Sequence, residues 1–298
     1  MIKISICICT RNRPESLKKL LNSIENIKTP HGTNIKIIVV ENDLKNYSER
    51  IIKELKAKSK FNISYYLESR QGISYARNRS IKEANDCDFC CFVDDDQMVD
   101  PNWLLELLKC QQEFDADGVY GSTPPIFNKE VPSYIKKYHT RPTYPYGSIS
   151  NDAATGCLLL RKKFLDMIDG PFNIRLNFTG GEDIFLTSQI NKLGGIICNN
   201  PDAIAYEIIP EDRSTIKYII QRTYRNSNTA YFVQSLTQSN FNEFKVFIRL
   251  LMRLSLGSLI LIPYLIFGKF DRLKGMIKII DAIGGFSFIL GKKNEFYK

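Results

Sequence analysis

The chain has 298 residues, a hydrophobic content of 44% and a formal net charge of +9. This composition excludes a disordered chain and is enough for one large α/β domain with an accessory region, or for two modest domains. Residues 211–298 carry 14 Lys/Arg against 6 Asp/Glu, so eight of the nine excess positive charges lie there. A basic tail favours an anionic surface. Because the basic residues cluster with apolar segments and not with a module that reads bases, nucleic-acid binding is not expected.

The N-terminus begins with a strand pattern. Ile2, Ile4, Ile6 and Ile8 alternate with polar residues or cysteines, and the segment lacks the apolar core and cleavage site of a signal peptide. We therefore expect a cytoplasmic protein. The eight cysteines are interpreted as small hydrophobic residues in a reducing compartment. Cys87 and Cys90 have C-x-x-C spacing but no second pair or histidine at metal spacing, so no zinc site is expected.

Strand patterns and helix patterns alternate over the first 120 residues. The predicted strands are 2–9, 35–41, 62–67, 88–94 and 117–121, and the predicted helices are 14–27, 46–58, 73–85 and 101–114. This order predicts an α/β fold, with a nucleotide-binding, mostly parallel sheet flanked by helices.

The next segment, 121–150, is rich in proline, glycine and tyrosine, which predicts a long functional loop that faces the acceptor. His139 in this loop could touch an acceptor, although a surface histidine is the favoured interpretation. Further along, the patterns predict a strand at 153–160, helices at 161–168 and 183–193, and a strand at 195–207. Two more helices are expected at 213–236 and 244–267, the second broken or bent at Pro263.

Three adjacent carboxylates, Asp94, Asp95 and Asp96, directly follow an apolar strand. Like charges in a row repel one another, and a chain tolerates them at the mouth of a sheet mainly when a cation compensates them. Alternation along the backbone would point Asp94 and Asp96 to one side and Asp95 to the other. A solvated acidic turn that caps the helix near Pro101 is the alternative. The position favours a binding site, because ligands of open α/β sheets lie outside the carboxyl ends of the strands.

Polar residues also follow the other predicted strands. Thr10-Arg11-Asn12-Arg13 follows the first strand, Glu41-Asn42-Asp43 the second, and Arg70-Gln71-Gly72 the third. Four strand ends should therefore meet at one crevice.

Five motifs resemble those of a known family, and they occur in the same order and with similar spacing. They are the run from Ile6 to Pro14, the run from Ile37 to Asp43, Gly72-Ile-Ser-Tyr-Ala-Arg77-Asn78, Phe92-Val-Asp94-Asp-Asp96, and Gly180-Gly-Glu182-Asp183. This series is similar to that of the family 2 glycosyltransferases, which have the GT-A fold. Each motif alone is weak, but the ordered set is specific and covers residues 2 to about 230.

The resemblance implies roles for individual residues. It assigns nucleotide-sugar binding to Thr10, Arg11, Arg13, Glu41, Asp43, Arg70, Gly72, Arg77, Asp94 and Asp95. Asp94 and Asp96 match the D-x-D pair that binds Mn²⁺ or Mg²⁺, and Asp183 matches the catalytic base, with Glu182 orienting the acceptor or the sugar. The family more often has Asp at the position of Glu41. An acidic first turn of a helix is the alternative for Glu182 and Asp183.

A basic element at 221–225 resembles the Q-x-x-R-W motif of membrane-associated members, but the spacing differs and the tryptophan is missing. Arg222 and Arg225 are therefore candidate diphosphate ligands, with a solvated basic helix face as the alternative.

The implied activity is inverting transfer of a sugar from a nucleotide-sugar, with uridine diphosphate as the favoured nucleotide, to a hydroxyl of a glycan or lipid-linked acceptor in cell-surface polysaccharide synthesis. One carboxylate base and one cation on opposite sides of the anomeric carbon suffice for this reaction. A nucleotidyltransferase is an alternative, although the segment from Thr10 to Pro14 lacks the glycines of a phosphate loop. A non-catalytic membrane-bound scaffold with a degenerate transferase fold is a further alternative.

We expect a catalytic domain at 1–235 and a basic, apolar helical region at 236–298. Only 14 consecutive uncharged positions run from Leu254 to Phe267, fewer than the ~20 that a spanning helix needs. Flanking basic residues, Lys269 among them, and a second apolar run at 276–290 favour helices in the interface of an anionic leaflet, peripheral on the inner face of the cell membrane. A helical hairpin packed on the catalytic domain or on a second copy of the chain is the alternative.

Overall fold

The computed structural model describes residues 1–267 and 272–292. Its strands are β1 (Ile2–Thr10), β2 (Thr33–Glu41), β3 (Asn62–Leu67), β4 (Phe89–Asp94), β5 (Gln97–Val99), β6 (Gly118–Ser122), β7 (Pro125–Phe127), β8 (Cys157–Arg161) and β9 (Ile197–Ile209). Its α-helices are α1 (Pro14–Glu25), α2 (Glu49–Lys56), α3 (Ile73–Glu83), α4 (Trp103–Phe114), α5 (Ser133–His139), α6 (Lys162–Asp166), α7 (Glu182–Lys192), α8 (Ile216–Thr237), α9 (Glu243–Phe267) and α10 (Arg272–Ile289). Short 3₁₀ helices lie at Ile174–Leu176 and Glu211–Arg213.

One mixed sheet forms the centre of the molecule, with its strands in the order β3-β2-β1-β4-β8-β6-β9-β5 and with β7 paired to β9. β3, β2, β1 and β4 are parallel, whereas β8 runs antiparallel to both of its neighbours. Thr10 pairs with Glu41 and Cys9 with Asp94 in register, so β1, β2 and β4 end at the same edge. The predicted α/β fold with a mostly parallel sheet is confirmed.

The core occupies both faces of this sheet. Ile4, Ile6 and Ile8 point to one face, where they join a cluster that includes Leu17 of α1 and Trp103 of α4. Alternation along β1 sends Cys7 to the other face, with residues from α3 and α7. Because helices cover both faces, the parallel strands carry nearly continuous apolar runs. Each large side chain buried in this way contributes about 2 kcal/mol.

The predicted loop at 121–150 is wrong in part, because it contains strand β7 and helix α5. His139 at the end of α5 is also no surface residue, since it is only 5% exposed. Its ring stacks on that of Tyr218 at 6.1 Å and lies edge-on to those of Phe127 and Tyr138. These aromatic partners come from distant segments, and their packing is what orders the loop.

The predicted strand at 153–160 begins only at Cys157. Residues 153–156 pass against the end of β4 instead, where a Cβ on Gly156 would lie 3.1 Å from the Asp94 carboxylate. The predicted strand was too long because the alanines before Cys157 are apolar, although they lie at the edge of the sheet. The remaining element ends differ from the predicted ones by three residues or fewer.

The C-terminal helices form a hairpin. α10 packs against both α8 and α9, and the close approach depends on glycine: a Cβ on Gly284 would lie 2.3 Å from the carbonyl oxygen of Tyr224. α9 is continuous from Glu243 to Phe267, so the predicted break at Pro263 is not found. The predicted basic flank at Lys269 lies outside the described residues. Within residues 1–267 and 272–292, no helix combines the length and the apolarity that crossing a bilayer requires.

Candidate active site

A cavity of about 460 Å³ opens at the carboxyl ends of β1 and β4. Its wall brings together most of the residues proposed from the sequence: Thr10, Arg11, Arg13, Gly72, Arg77, Asp94, Asp95, Asp96, Glu182, Asp183, Arg222 and Arg225. The volume lies within the range of small-molecule sites. Segments that are more than 200 residues apart in the chain thus share one cavity.

Glu41, Asp43 and Arg70 lie beside the cavity and outside its described wall. The Glu41 carboxylate is fully buried and accepts hydrogen bonds from the Ser48 backbone at 2.9 Å and the Tyr65 hydroxyl at 2.5 Å. Asp43 lies 3.7 Å from Arg11, and Arg70 forms a pair of hydrogen bonds with Glu68. The roles proposed for these residues in nucleotide binding stay predictions.

Asp95 anchors the carboxylate triplet to the end of β1. It is 5% exposed and accepts a hydrogen bond from the Thr10 hydroxyl at 2.7 Å and one from Arg13 at 3.1 Å. Burial raises the pKa of Asp95 to about 6, although the charge of Arg13 opposes this shift. Asp95 therefore holds the turn between β4 and β5 in place.

Guanidinium groups compensate the three adjacent carboxylates. Arg77 lies 3.3 Å from Asp94, and Asp96 lies 3.4 Å from Arg13 and 3.2 Å from Arg213. The expectation that mainly a cation makes such a triplet tolerable therefore has to be corrected, because the chain itself provides the positive charges. Burial nevertheless raises the pKa of Asp94, against the opposing charge of Arg77.

Arg77 is the central side chain of the site. It is 8% exposed, lies with its guanidinium 5.5 Å from the Phe172 ring centroid, and forms ion pairs with both Asp94 and Glu182. Burial acts to lower the pKa of Arg77, but the Glu182 and Asp94 carboxylates outweigh it and raise the pKa. One side chain thus joins the acidic turn after β4 to the acidic start of α7.

Glu182 and Asp183 occupy different environments. Glu182 is 4% exposed, and its Oε2 has no hydrogen-bond partner among the described residues. Burial raises the pKa of Glu182 to about 7, although the charge of Arg77 opposes this. Asp183 is half-buried in the cavity wall and accepts a hydrogen bond from the Ile184 N–H at 2.8 Å. Both also form the acidic first turn of α7, where the helix dipole favours negative charge.

Glycine is required immediately before this pair. Gly180 and Gly181 have φ values of +81° and +83°, which residues other than glycine rarely adopt. A Cβ on Gly181 would also lie 2.7 Å from Val233 and 2.8 Å from Thr229 of α8. The two glycines therefore let α7 start against α8 with its first turn directed into the cavity.

The carboxylates of Asp94 and Asp96 suit a cation that also binds ligands from outside the protein. Among residues 1–267 and 272–292, no three His, Cys, Asp or Glu side chains are grouped so that they alone could hold a metal ion. Mg²⁺ commonly takes one or two carboxylates and completes its shell with phosphate oxygens and water. Two carboxylates at the mouth of a cavity fit this pattern.

Arg141, Glu207 and Arg213 also line the cavity, and the sequence analysis did not propose them as site residues. Arg213 contacts Asp96, and its backbone carbonyl lies 3.1 Å from Nε2 of His139. None of the three belongs to a motif of the series. The only signal was that Arg141 lies in the aromatic segment and Arg213 in the basic tail, which did not place either at the site.

Known proteins resemble this chain in sequence and in fold. Residues 5–168 match the family model described as glycosyl transferase family 2, which is more than half of the chain. The chain is 28% identical over 231 residues to the succinoglycan biosynthesis protein ExoM of Rhizobium meliloti (strain 1021), covering 76% of this chain and 74% of the relative.

Two solved structures show the same fold. The mannosyltransferase PcManGT of Pyrobaculum calidifontis, in complex with GDP-Man and Mn²⁺, has a TM-score of 0.69 at 11% identity, covering 97% of this chain and 87% of that one. S. aureus TarS 1–349 in complex with UDP-GlcNAc has a TM-score of 0.54 at 16% identity, covering 98% and 93%. With its GT-A fold, its ordered motifs and the match over more than half of its length, the chain belongs to glycosyl transferase family 2 and is a glycosyltransferase.

Proposed function

We propose that the protein transfers a sugar, with inversion, from a UDP-sugar to a hydroxyl of a glycan or lipid-linked acceptor in the synthesis of a cell-surface polysaccharide. The observation that carries this proposal is the wall formed by Asp94, Arg77 and Glu182, which joins the acidic turn to the start of α7 in one cavity. Family membership favours a glycosyltransferase over a nucleotidyltransferase. The acidic turn and the Glu182-Asp183 pair, which line one cavity, favour catalysis over a scaffold with a degenerate transferase fold.

The donor end of the cavity suits a nucleoside diphosphate. Arg11, Arg13 and Arg77 line it next to Thr10 and Gly72, and guanidinium groups bind phosphate in a bidentate manner. Uridine is favoured because TarS, which shares the fold, is solved with UDP-GlcNAc. The printed function of ExoM in succinoglycan biosynthesis supports a polysaccharide product.

Asp94 and Asp96 would hold Mn²⁺ or Mg²⁺. A divalent ion at this place supplies positive charge that stabilises the departing diphosphate. The Arg13 and Arg213 side chains that now contact Asp96 would then be available for phosphate oxygens. Solved GT-A structures that contain Mn²⁺ support this assignment.

Asp183 is proposed as the base that removes the proton from the acceptor hydroxyl. It lines the cavity, is half-buried and is not paired with Arg77, in contrast to Glu182. Glu182, with its raised pKa and its ion pair, is suited to fix Arg77 and to orient the sugar. The acceptor oxygen, deprotonated by Asp183, would displace the nucleoside diphosphate directly from the anomeric carbon, and this single displacement inverts the configuration.

The donor proposal is tested by thermal unfolding of the purified protein with UDP, GDP, dTDP and their sugars, each with and without Mn²⁺. Ligand binding to the native state raises the melting temperature by mass action. We expect a Mn²⁺-dependent rise with UDP or a UDP-sugar, lost in Asp96→Ala and kept in the surface control Asp169→Ala. A rise with GDP or dTDP alone would change the donor, and no rise with any nucleotide would contradict the proposal.

α9 is proposed to dock on an anionic membrane surface. Phe244, Ile248, Leu251, Leu259 and Ile262 fall on one face at helical spacing and are 40–71% exposed. Exposed Lys245 and Arg249 lie beside this face on the same helix. Such an apolar face with flanking cations suits the interface of an anionic leaflet. The opposite side of α9 packs on α10, with Leu250 fully buried.

Co-sedimentation with vesicles tests the membrane proposal. We expect binding to vesicles that contain phosphatidylglycerol, weaker binding to pure phosphatidylcholine, and loss of binding in Leu259→Glu. Met167→Glu changes an equally exposed residue elsewhere and serves as the matched control. Absence of binding, together with a dimer in solution that Leu259→Glu dissociates, would show that this face joins two copies of the chain.

A further inference from the structure

The cavity contains two kinds of arginine. Arg13, Arg77 and Arg213 each form an ion pair with a carboxylate of the acidic turn or of α7. Within residues 1–267 and 272–292, neither Arg141 nor Arg222 has a carboxylate within 4.0 Å. The chain thus neutralises one set of guanidinium groups and leaves the other set to solvent and to ligand.

Arg141 projects from the segment after α5. Its Nη1 donates a hydrogen bond to the Tyr120 hydroxyl at 3.1 Å, which fixes the direction of the guanidinium while its other donors stay available. Desolvation acts to lower the pKa of Arg141, but Tyr120, Glu207 and Asp183 outweigh it and raise the pKa. Arg141 and Asp183, the proposed base, line the same cavity.

Arg222 reaches the cavity from α8. It is half-buried, and its guanidinium lies 5.9 Å from the Tyr218 ring centroid. The Tyr218 ring in turn stacks on His139. The helix that carries Arg222 is tied to α5 by a contact of 3.3 Å between the Tyr138 and Thr223 hydroxyls. Arg222 is thus held by aromatic side chains of α5 and the start of α8, whereas Arg141 is held by the Tyr120 hydroxyl of β6.

We propose that Arg141 and Arg222 form an acceptor subsite for an oxyanion, so that the acceptor of this enzyme carries a phosphate or carboxylate group near its reacting hydroxyl. This inference rests on the proposed function of the cavity as a sugar-transfer site. A guanidinium group presents paired donors in a plane, which match two oxygens of a phosphate or a carboxylate. A neutral sugar would bring no negative charge to exposed Arg141 or half-buried Arg222.

The charge balance favours the acceptor over the donor as the source of this oxyanion. Arg13 and Arg213 would be released from Asp96 if a divalent ion bound there, and they would then provide positive charge for the donor diphosphate at the ends of β1 and β4. Arg141 is directed by Tyr120 and lines the cavity together with Asp183, which has to meet the acceptor hydroxyl. Glu207 in the same wall limits how far an anion can extend towards β9.

Binding of small probes to the full-length protein tests the proposal. Phenyl phosphate, phenyl β-D-glucuronide and the neutral phenyl β-D-glucoside are titrated with UDP and Mn²⁺ present in saturating amounts, and again without them. We expect at least one of the two anionic probes to bind about tenfold more tightly than the glucoside. This probe should bind while UDP is also bound. Arg141→Gln and Arg222→Gln should each remove about tenfold of that affinity, as expected for one charged hydrogen bond.

Controls separate charge from structure. Arg141→Lys and Arg222→Lys should keep part of the preference for the anion, and Arg50→Gln, an 87% exposed side chain on α2, should keep all of it. Melting temperatures of all variants show that they fold. A preference for phenyl phosphate assigns a phosphate-bearing acceptor such as a lipid phosphate, and a preference for the glucuronide assigns an acidic sugar.

Three results would overturn the inference. The anionic probes could bind no better than the glucoside, or the glutamine variants could bind them as the wild type does. Displacement of UDP by phenyl phosphate, with weaker UDP binding in both variants, would instead assign the two arginines to the donor diphosphate. Failure of the wild type to bind any nucleotide would contradict the proposed function separately, because the preference for the anion is also measured without UDP.

Discussion

The two ends of the cavity differ in how their charges are compensated. At the carboxyl ends of β1 and β4, Asp94, Asp95, Asp96 and Glu182 all contact arginines of the same chain. Around α5 and α8, Arg141 and Arg222 have no such carboxylate among the described residues. The first region is preorganised by its own ion pairs, whereas the second is completed by a ligand. Ion-paired side chains thus lie where the donor is proposed to bind, and arginines without a carboxylate partner lie where the acceptor is proposed to bind.

The largest effect is expected from the residue between the two regions. Asp183→Asn keeps the shape of the side chain but removes the base, so transfer should fall by about 10³-fold, or about 4 kcal/mol in activation free energy. Binding of UDP and Mn²⁺, measured by calorimetry, should stay nearly intact. Asp169→Asn changes an exposed carboxylate that precedes α7 in the chain, and this variant should keep full activity. Full turnover in Asp183→Asn would refute the assigned base.

The preorganised end should be sensitive to the loss of a single charge. Arg77→Met leaves Glu182 and Asp94 without their partner and should lower the free energy of unfolding by about 3 kcal/mol at pH 8. Urea unfolding measures this. Arg79→Met, which breaks a more exposed pair with Glu83 one turn away, should cost less than about 1 kcal/mol. Equal losses in both variants would show that the buried network has no special role.

The effect of pH is the smallest when it is expressed per pH unit. Because the pKa of Glu182 is raised to about 7 in the folded chain, the folded state binds a proton that the unfolded state has released between about pH 4.5 and pH 7. This contribution to stability is complete below the unfolded pKa and is lost as the pH rises through 7, by up to about 1.4 kcal/mol per pH unit. Glu182→Gln should flatten the stability profile in this window.

The control for the pH experiment is Glu54→Gln on the surface of α2, where the side chain is 61% exposed. Its profile should follow that of the wild type. A Glu182→Gln profile as steep as that of the wild type would show that Glu182 does not carry the proton.

The sequence was sufficient for the fold class and for most of the cavity wall. Period-two alternation in β1 and apolar runs in β4 determine which residues are buried, and buried parallel strands end at one edge. The position of Asp94 and Asp96 at that edge therefore followed from local pattern and from the order of the motifs. The position of Glu41 at the same edge was not enough to predict its partners. Its carboxylate accepts hydrogen bonds from Ser48 and Tyr65, whereas the sequence had suggested the nucleotide.

Local pattern was insufficient wherever the partners are distant in the chain. The segment 121–150 contains no strong helical period, and α5 forms because His139 packs on Tyr218, almost 80 residues further on. Arg213 is an ordinary basic residue in the sequence, yet it contacts Asp96 across 117 positions. Such contacts depend on how separate elements meet, which a window of neighbouring residues does not contain.

The sequence by itself thus determined the sheet, its polar edge and the family of the enzyme, since these follow from hydrophobic periodicity and from residues that are close in the chain. Only the tertiary structure decided which arginine compensates which carboxylate, because that depends on side chains brought together across the sheet. It also decided that Arg141 and Arg222 stay open and that one face of α9 is exposed, since burial is a property of the packed chain and not of any single segment.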